Sequence, residues 1–107
     1  MQIIDFQGTK VRKLDNRMSA VDACRAIGYS EPRKRWFDLK QRNPELVEYS
    51  VVLNLRTTDG KEYQSDTLDM RGVIVLCMLA RTDKAIEFRR WASIQLAPLI
   101  EQEITGN

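Results

Sequence analysis

Histidine is missing from this 107-residue chain. Its absence removes the side chain most used as a general base, as a metal ligand and as the centre of nucleophilic triads. Cysteine is nearly missing too, with Cys24 and Cys77 far apart and each inside an apolar helical pattern. Two thiols cannot supply the four ligands of a structural zinc site. They read as buried, inert thiols, with a disulfide as the alternative. Glycine and proline are scarce, at 5 and 3, which excludes collagen-like repeats and low-complexity linkers. Long apolar runs are lacking as well: Val73 to Ala80 is the longest, far short of the ~20 residues that cross a bilayer. No basic-then-apolar segment opens the chain, so the expectation is a cytoplasmic protein with no membrane partner.

What is present suits a globular domain. Hydrophobic residues make up 43% and charged residues 30%, enough to build one core without metal or disulfide staples. The expectation is a single domain over residues 1–107. Net charge is only +2, but it is unevenly spread. Between Lys10 and Arg42 ten basic residues face four acidic ones, whereas from Asn43 onward seven basic face ten acidic. A chain polarised in this way has one half suited to a polyanion.

Ile3, Ile4 and Phe6 predict a short strand, and Gln7-Gly8 a turn into a second strand over Thr9 to Leu14, ended by Asp15-Asn16. Ser19 is placed to cap a helix over Ala20–Ile27, with Asp22 in its first turn and Gly28 as its stop. Ser30-Glu31-Pro32 predicts the start of another helix, over Glu31–Arg42, with the hydroxyl as cap and Asn43-Pro44 as its end. At about 100° per residue, Pro32, Trp36 and Leu39 share a stripe that turns Trp36 inward and leaves Phe37 partly exposed.

Tyr49, Val51, Leu53 and Leu55 alternate with polar residues and predict a strand. A three-residue loop, Thr58-Asp59-Gly60 with Gly60 left-handed, keeps both faces consistent by pairing Leu55 with Tyr63, Leu53 with Ser65 and Arg56 with Glu62. Asp69 caps a helix over Arg71 to Ala80 that is apolar all round and so expected to be buried. Thr82 caps the last helix, whose inward face is Ala85, Phe88, Ala92, Leu96 and Leu99, with a kink at Pro98. Together these predict an α+β fold: a small antiparallel sheet, made of the N-terminal hairpin and a hairpin over 48–68, and about four helices.

The two N-terminal helices with their Gly28-Tyr29-Ser30 turn have the dimensions of a helix-turn-helix, whose second helix enters the major groove. Here the second helix is the basic one. Arg33, Lys34, Arg35, Lys40, Gln41 and Arg42 are candidate contacts to phosphates and base edges, with Lys10, Arg12, Lys13 and Arg17 as backbone clamps. The structural alternative is a solvated helix whose charges serve solubility. Arg89 and Arg90 sit at helical spacings from Asp83 and Glu87 and read as salt-bridged. No carboxylate pair, Gly-rich loop or activated serine marks catalysis, so no enzyme activity, cofactor or metal is expected.

The stretch Asp22-Ala23-Cys24-Arg25-Ala26-Ile27-Gly28-Tyr29-Ser30, followed by Pro32-Arg33-Lys34, resembles the BRO family N-terminal (Bro-N) domain. Arg71-Gly72 at the apolar helix, and Ala85, Phe88, Arg90-Trp91 and Pro98 in the last one, follow the same family's pattern in order. The resemblance runs from about Phe6 to Ile100, with Met18 where an aromatic is usual. It implies an α+β domain of a phage or prophage transcription regulator of the antirepressor type, binding double-stranded DNA through its N-terminal region in the host cytoplasm. The alternative is a protein-interaction module that titrates a phage repressor or mediates oligomerisation as a homodimer, using Phe37 and hairpin residues such as Val52.

Overall fold

A computed structural model of the chain describes residues 1–57 and 59–96. β1 (Gln2–Phe6) and β2 (Thr9–Leu14) form the first hairpin, with Ile4 opposite Val11 and Phe6 opposite Thr9. Gln7 and Gly8 both take positive φ, 49° and 88°, the two-residue turn whose twist matches paired strands. A second reversal follows at Asp15, φ 55°, and carries the chain into β3 (Arg17–Ser19). The sequence predicts the end of the strand at this turn and one sheet made of the two hairpins, with no strand between them. β3 instead joins them, because Met18 and Ser19 pair with Leu68 and Thr67. Three residues are too few to display an alternating pattern, so β3 leaves no periodic trace. The sheet has five antiparallel strands in the order β1-β2-β3-β5-β4.

α1 (Ala20–Ala26) starts as expected, with Ser19 Oγ accepting from the Asp22 N–H at 3.1 Å. It stops at Gly28, φ 103°, where Gly28 N–H donates to the Arg25 carbonyl and Tyr29 N–H to that of Cys24, the Schellman closure that calls for glycine. α2 (Pro32–Arg42) begins without the expected serine cap: Glu31 is the N-cap and gives no side-chain hydrogen bond. Pro32 at the first position needs none, since its missing N–H removes one orphan donor.

A helix the sequence reading missed, α3 (Pro44–Tyr49), follows the break at Asn43, which raises the helix count to five. Its signals were proline at the start and Glu45 in the first turn, but six residues hold too little periodicity to be read. β4 (Ser50–Arg56) and β5 (Glu62–Leu68) pair in the predicted register: Leu55 with Tyr63, Leu53 with Ser65 and Arg56 with Glu62. Gly60 has φ 85°, and Thr57 N–H closes the loop on the Lys61 carbonyl at 2.8 Å.

Asp69 caps α4 (Met70–Ala80) by accepting from the N–H groups of Arg71 and Gly72. α4 is not buried all round. Val73, Leu76 and Cys77 face the core, but Ile74, Met78 and Leu79 are exposed, Met78 at 64%. α5 (Asp83–Gln95) is capped by Thr82 and buries Ala85, Phe88, Ala92 and, just past its end, Leu96. The predicted roles of Leu99 and Pro98 lie outside the described residues. Phe6, Phe88 and Trp91 form an aromatic cluster with centroids 5.1–5.4 Å apart, tying the first strand to the last helix. Cys24 and Cys77 are both free and buried. Arg89 and Arg90 form no ion pair among the described residues; Glu87 accepts instead from Gln7 Nε2 at 2.6 Å.

Candidate nucleic-acid interface

α2 is anchored by one side chain. Trp36 is buried at 3% exposure and donates its indole N–H to Asp66 Oδ2 at 2.7 Å, which fixes the rotation of the helix about its axis. With Trp36 inward, Arg33 falls on one flank of the helix, Arg35 and Arg42 on the other, and Lys34 and Gln41 on the outer side, at about 100° per residue. All five are exposed. Among the described residues none of these four cations meets a carboxylate. The Arg35 guanidinium lies over the Tyr29 ring, 5.0 Å from its centroid, so the turn before α2 orients a cation of its first turn. Two acids, Glu31 and Asp38, share this surface. They line a cleft of about 330 Å³ with Tyr29, Lys34 and Arg35.

The other predicted contacts are placed differently. Lys40 Nζ lies 2.8 Å from Asp66 Oδ2 and is half-buried. Asp66 therefore accepts from both Trp36 and Lys40. Burial acts to raise its pKa, but these two donors outweigh burial and hold it below the usual carboxylate value. Arg12 donates to both carboxylate oxygens of Asp22, at 2.8 and 3.2 Å, and to Ser19 Oγ at 3.3 Å. Its side chain is 17% exposed and that of Asp22 only 4%. Arg17 reaches across the sheet to Thr67 Oγ1 at 2.9 Å, to the Thr67 carbonyl at 3.0 Å and to the carbonyl of Tyr49. Burial lowers the pKa of Arg17, against the pull of Asp69 3.7 Å away. Lys10 pairs with Asp5 at 3.1 Å in full exposure, and Lys13 donates to Gln2 Oε1 at 3.3 Å.

The candidate cations therefore divide. The first turn of α2 and Arg42 present theirs to solvent. Arg12, Arg17 and Lys40 bind the sheet to the helices. The sequence reading left out Arg25, which is half-exposed, pairs with Asp22 at 3.1 Å and borders a cleft of about 360 Å³ with Arg33 and Lys34. Its signal was present: an aspartate three residues before an arginine on a helix that ends at a glycine turn.

The remaining described residues include the two free thiols, both buried. Burial pushes the Cys24 thiol up to about 12 and the Cys77 thiol up to about 11, so neither offers a thiolate. No group of three or more metal-ligating side chains converges there, and no described helix is long and apolar enough to cross a membrane. Residues 11–98 match the family described as BRO family, N-terminal domain (Bro-N). No curated protein and no solved structure matches the chain.

Proposed function

The chain belongs to the BRO family through its N-terminal domain, a domain associated with phage antirepressors and DNA-binding proteins, and on that premise we propose that it is the DNA-binding module of a phage-type transcription regulator. In this reading α2 lies against duplex DNA, in the cytoplasm of the host cell. Arg33, Lys34, Arg35 and Arg42 contact phosphates, and Gln41 reaches a base edge, the type of contact an amide makes best with adenine. Lys10 and Lys13, on the neighbouring hairpin, add backbone contacts. Arg12, Arg17 and Lys40 act indirectly, by holding the helix pair on the sheet. The module itself carries out no reaction.

The observation that carries this reading is the first turn of α2: three consecutive cations, Arg33, Lys34 and Arg35, all exposed and all without a carboxylate partner among the described residues. Consecutive helix residues fan over about 200°, wide enough to meet phosphates on both walls of a groove.

The test is a mobility shift with random-sequence duplex at low salt, on the wild type and on a Lys34→Glu, Arg35→Glu double variant. The wild type is expected to shift the duplex and the variant to lose binding, with stability changed by no more than about 1 kcal/mol, as for exposed positions. A wild type that fails to shift at low salt, or a variant that binds as well, overturns the proposal.

A further inference from the structure

β5 is covered on one side only along most of its length. β3 reaches Thr67 and Leu68 and no farther, because the chain turns into α1 at Ala20. Residues Glu62 to Asp66 are thus paired with β4 alone. The loop-closing bond from Thr57 N–H to the Lys61 carbonyl sets the parity of the ladder. Hydrogen-bonded pairs recur at every second residue of an antiparallel pair, so Tyr63 and Ser65 turn their backbone groups toward β4. Glu62, Gln64 and Asp66 turn theirs outward. Among the described residues no side chain and no loop or turn carbonyl takes the backbone N–H of Gln64 or Asp66.

This open edge borders a groove of about 690 Å³. Val21 and Tyr63 supply apolar surface over the buried Trp36, and Arg33 is among the lining residues. Three of its four charged residues are already satisfied: Arg12 by Asp22, Asp66 by Lys40 and Trp36, and Asp59 by the Thr57 hydroxyl and the Lys61 N–H. Arg33 is the cation of the groove that meets no carboxylate among the described residues.

We propose that this groove binds an extended peptide segment of a partner protein as an added strand on β5, with an acidic side chain of that peptide on Arg33. The edge alternates N–H donors with C=O acceptors, and an extended peptide answers both. A nucleic-acid strand brings phosphate oxygens, which leave the carbonyls facing negative charge. A second copy of the chain is disfavoured as well. Two-fold antiparallel pairing centred on Gln64 would set Glu62 of one copy opposite Asp66 of the other, a like-charge pair. The unanswered charge at Arg33 selects for an acid in the ligand. This inference does not rest on DNA binding.

The test uses the intact protein on an immobilised array of random peptides of about nine residues, enough to span the open edge at ~3.3 Å per residue, each with one fixed aspartate. Gln64→Pro removes the N–H that faces the groove and leaves the β4 ladder whole, whereas Gln64→Ala keeps both. The wild type and Gln64→Ala are expected to bind a common subset of peptides, and Gln64→Pro to bind that subset at least about tenfold more weakly. Changing the fixed aspartate to asparagine should weaken binding to the wild type but not to Arg33→Gln. If Gln64→Pro does not fold, methylating alternate backbone nitrogens of the bound peptides must produce the same loss on the wild-type protein. Absence of any bound peptide, or binding indifferent to both proline and N-methylation, overturns the proposal. Duplex binding by Gln64→Pro should equal that of the wild type, so failure here is separable from failure of the DNA reading.

Discussion

The indole N–H of Trp36 donates to Asp66 Oδ2 at 2.7 Å, joining the basic helix to β5. Lys40 Nζ reaches the same oxygen at 2.8 Å. One carboxylate therefore fixes the azimuth of α2 and absorbs the one cation of that helix that points at the sheet. Asp66→Ala should leave the buried indole donor without a partner and lower stability by about 1–3 kcal/mol in urea unfolding. An unchanged midpoint would mean that Trp36 packing alone holds the helix.

Arg12 and Lys34 belong to the same basic stretch but should behave in opposite ways. Arg12→Ala strands most of the Asp22 charge in a site that is 4% exposed, leaving beside it only the backbone N–H of residue 12 and the half-exposed Arg25, and is expected to cost about 3 kcal/mol. Lys34→Ala should cost little stability and weaken DNA binding. For the wild type, the cations free on α2 together with Lys10 and Lys13 predict that log affinity falls against log salt with a slope of roughly −5. Titrations at several salt concentrations measure it, and a slope near zero counts against phosphate contact.

Gly72 lies in the interior of α4, where alanine would ordinarily stabilise by roughly 0.5–1 kcal/mol. Here a Cβ would stand 2.6 Å from Leu68 Cδ2 and 3.0 Å from Leu68 Cβ, and Leu68 is fully buried. Overpacking of this kind costs about 1–3 kcal/mol, so Gly72→Ala should destabilise. Thermal melting of the pair of proteins decides the sign.

Acid should weaken the fold through Asp66 and Asp69. At both, burial raises the pKa but hydrogen bonds outweigh it, from Lys40 and Trp36 at Asp66 and chiefly from Arg71 and the Gly72 N–H at Asp69. Both end lower in the folded than in the unfolded chain, so the unfolded state binds protons first. Their contribution is complete above the unfolded value of about 4 and is lost as pH falls through the folded values. The cysteines set the alkaline side: unfolded thiols ionise near pH 8.5, while burial holds Cys24 and Cys77 protonated to about 12 and 11. Stability should therefore decline as pH rises above roughly 8.5. Unfolding midpoints across pH 3–10 check both limbs.

Local chemistry was legible wherever a feature is complete within a few residues. Ser19, Asp69 and Thr82 cap their helices as read, because a cap needs only its own hydroxyl or carboxylate and the N–H two or three residues on. The β4–β5 register was legible because a single loop geometry keeps Leu53 and Leu55 facing consistent partners. The order of motifs from Asp22 to Trp91 was legible as family likeness, and residues 11–98 carry the family match. What failed was short or depended on neighbours. β3 and α3 are three and six residues long, below the length at which periodicity speaks. The exposure of Ile74, Met78 and Leu79 follows from what α4 packs against, which hydrophobicity alone does not state.

For the candidate interface the division is physical. Sequence by itself determined how many cations the early half of the chain carries and that Trp36 turns inward, since both follow from residue identity and helical spacing. Only tertiary structure decided which cations stay free. A cation is available to a phosphate or committed within the fold according to which acceptors lie within about 3 Å of it, and Asp22, Thr67 and Asp66, the partners of Arg12, Arg17 and Lys40, come from 10, 50 and 26 residues away.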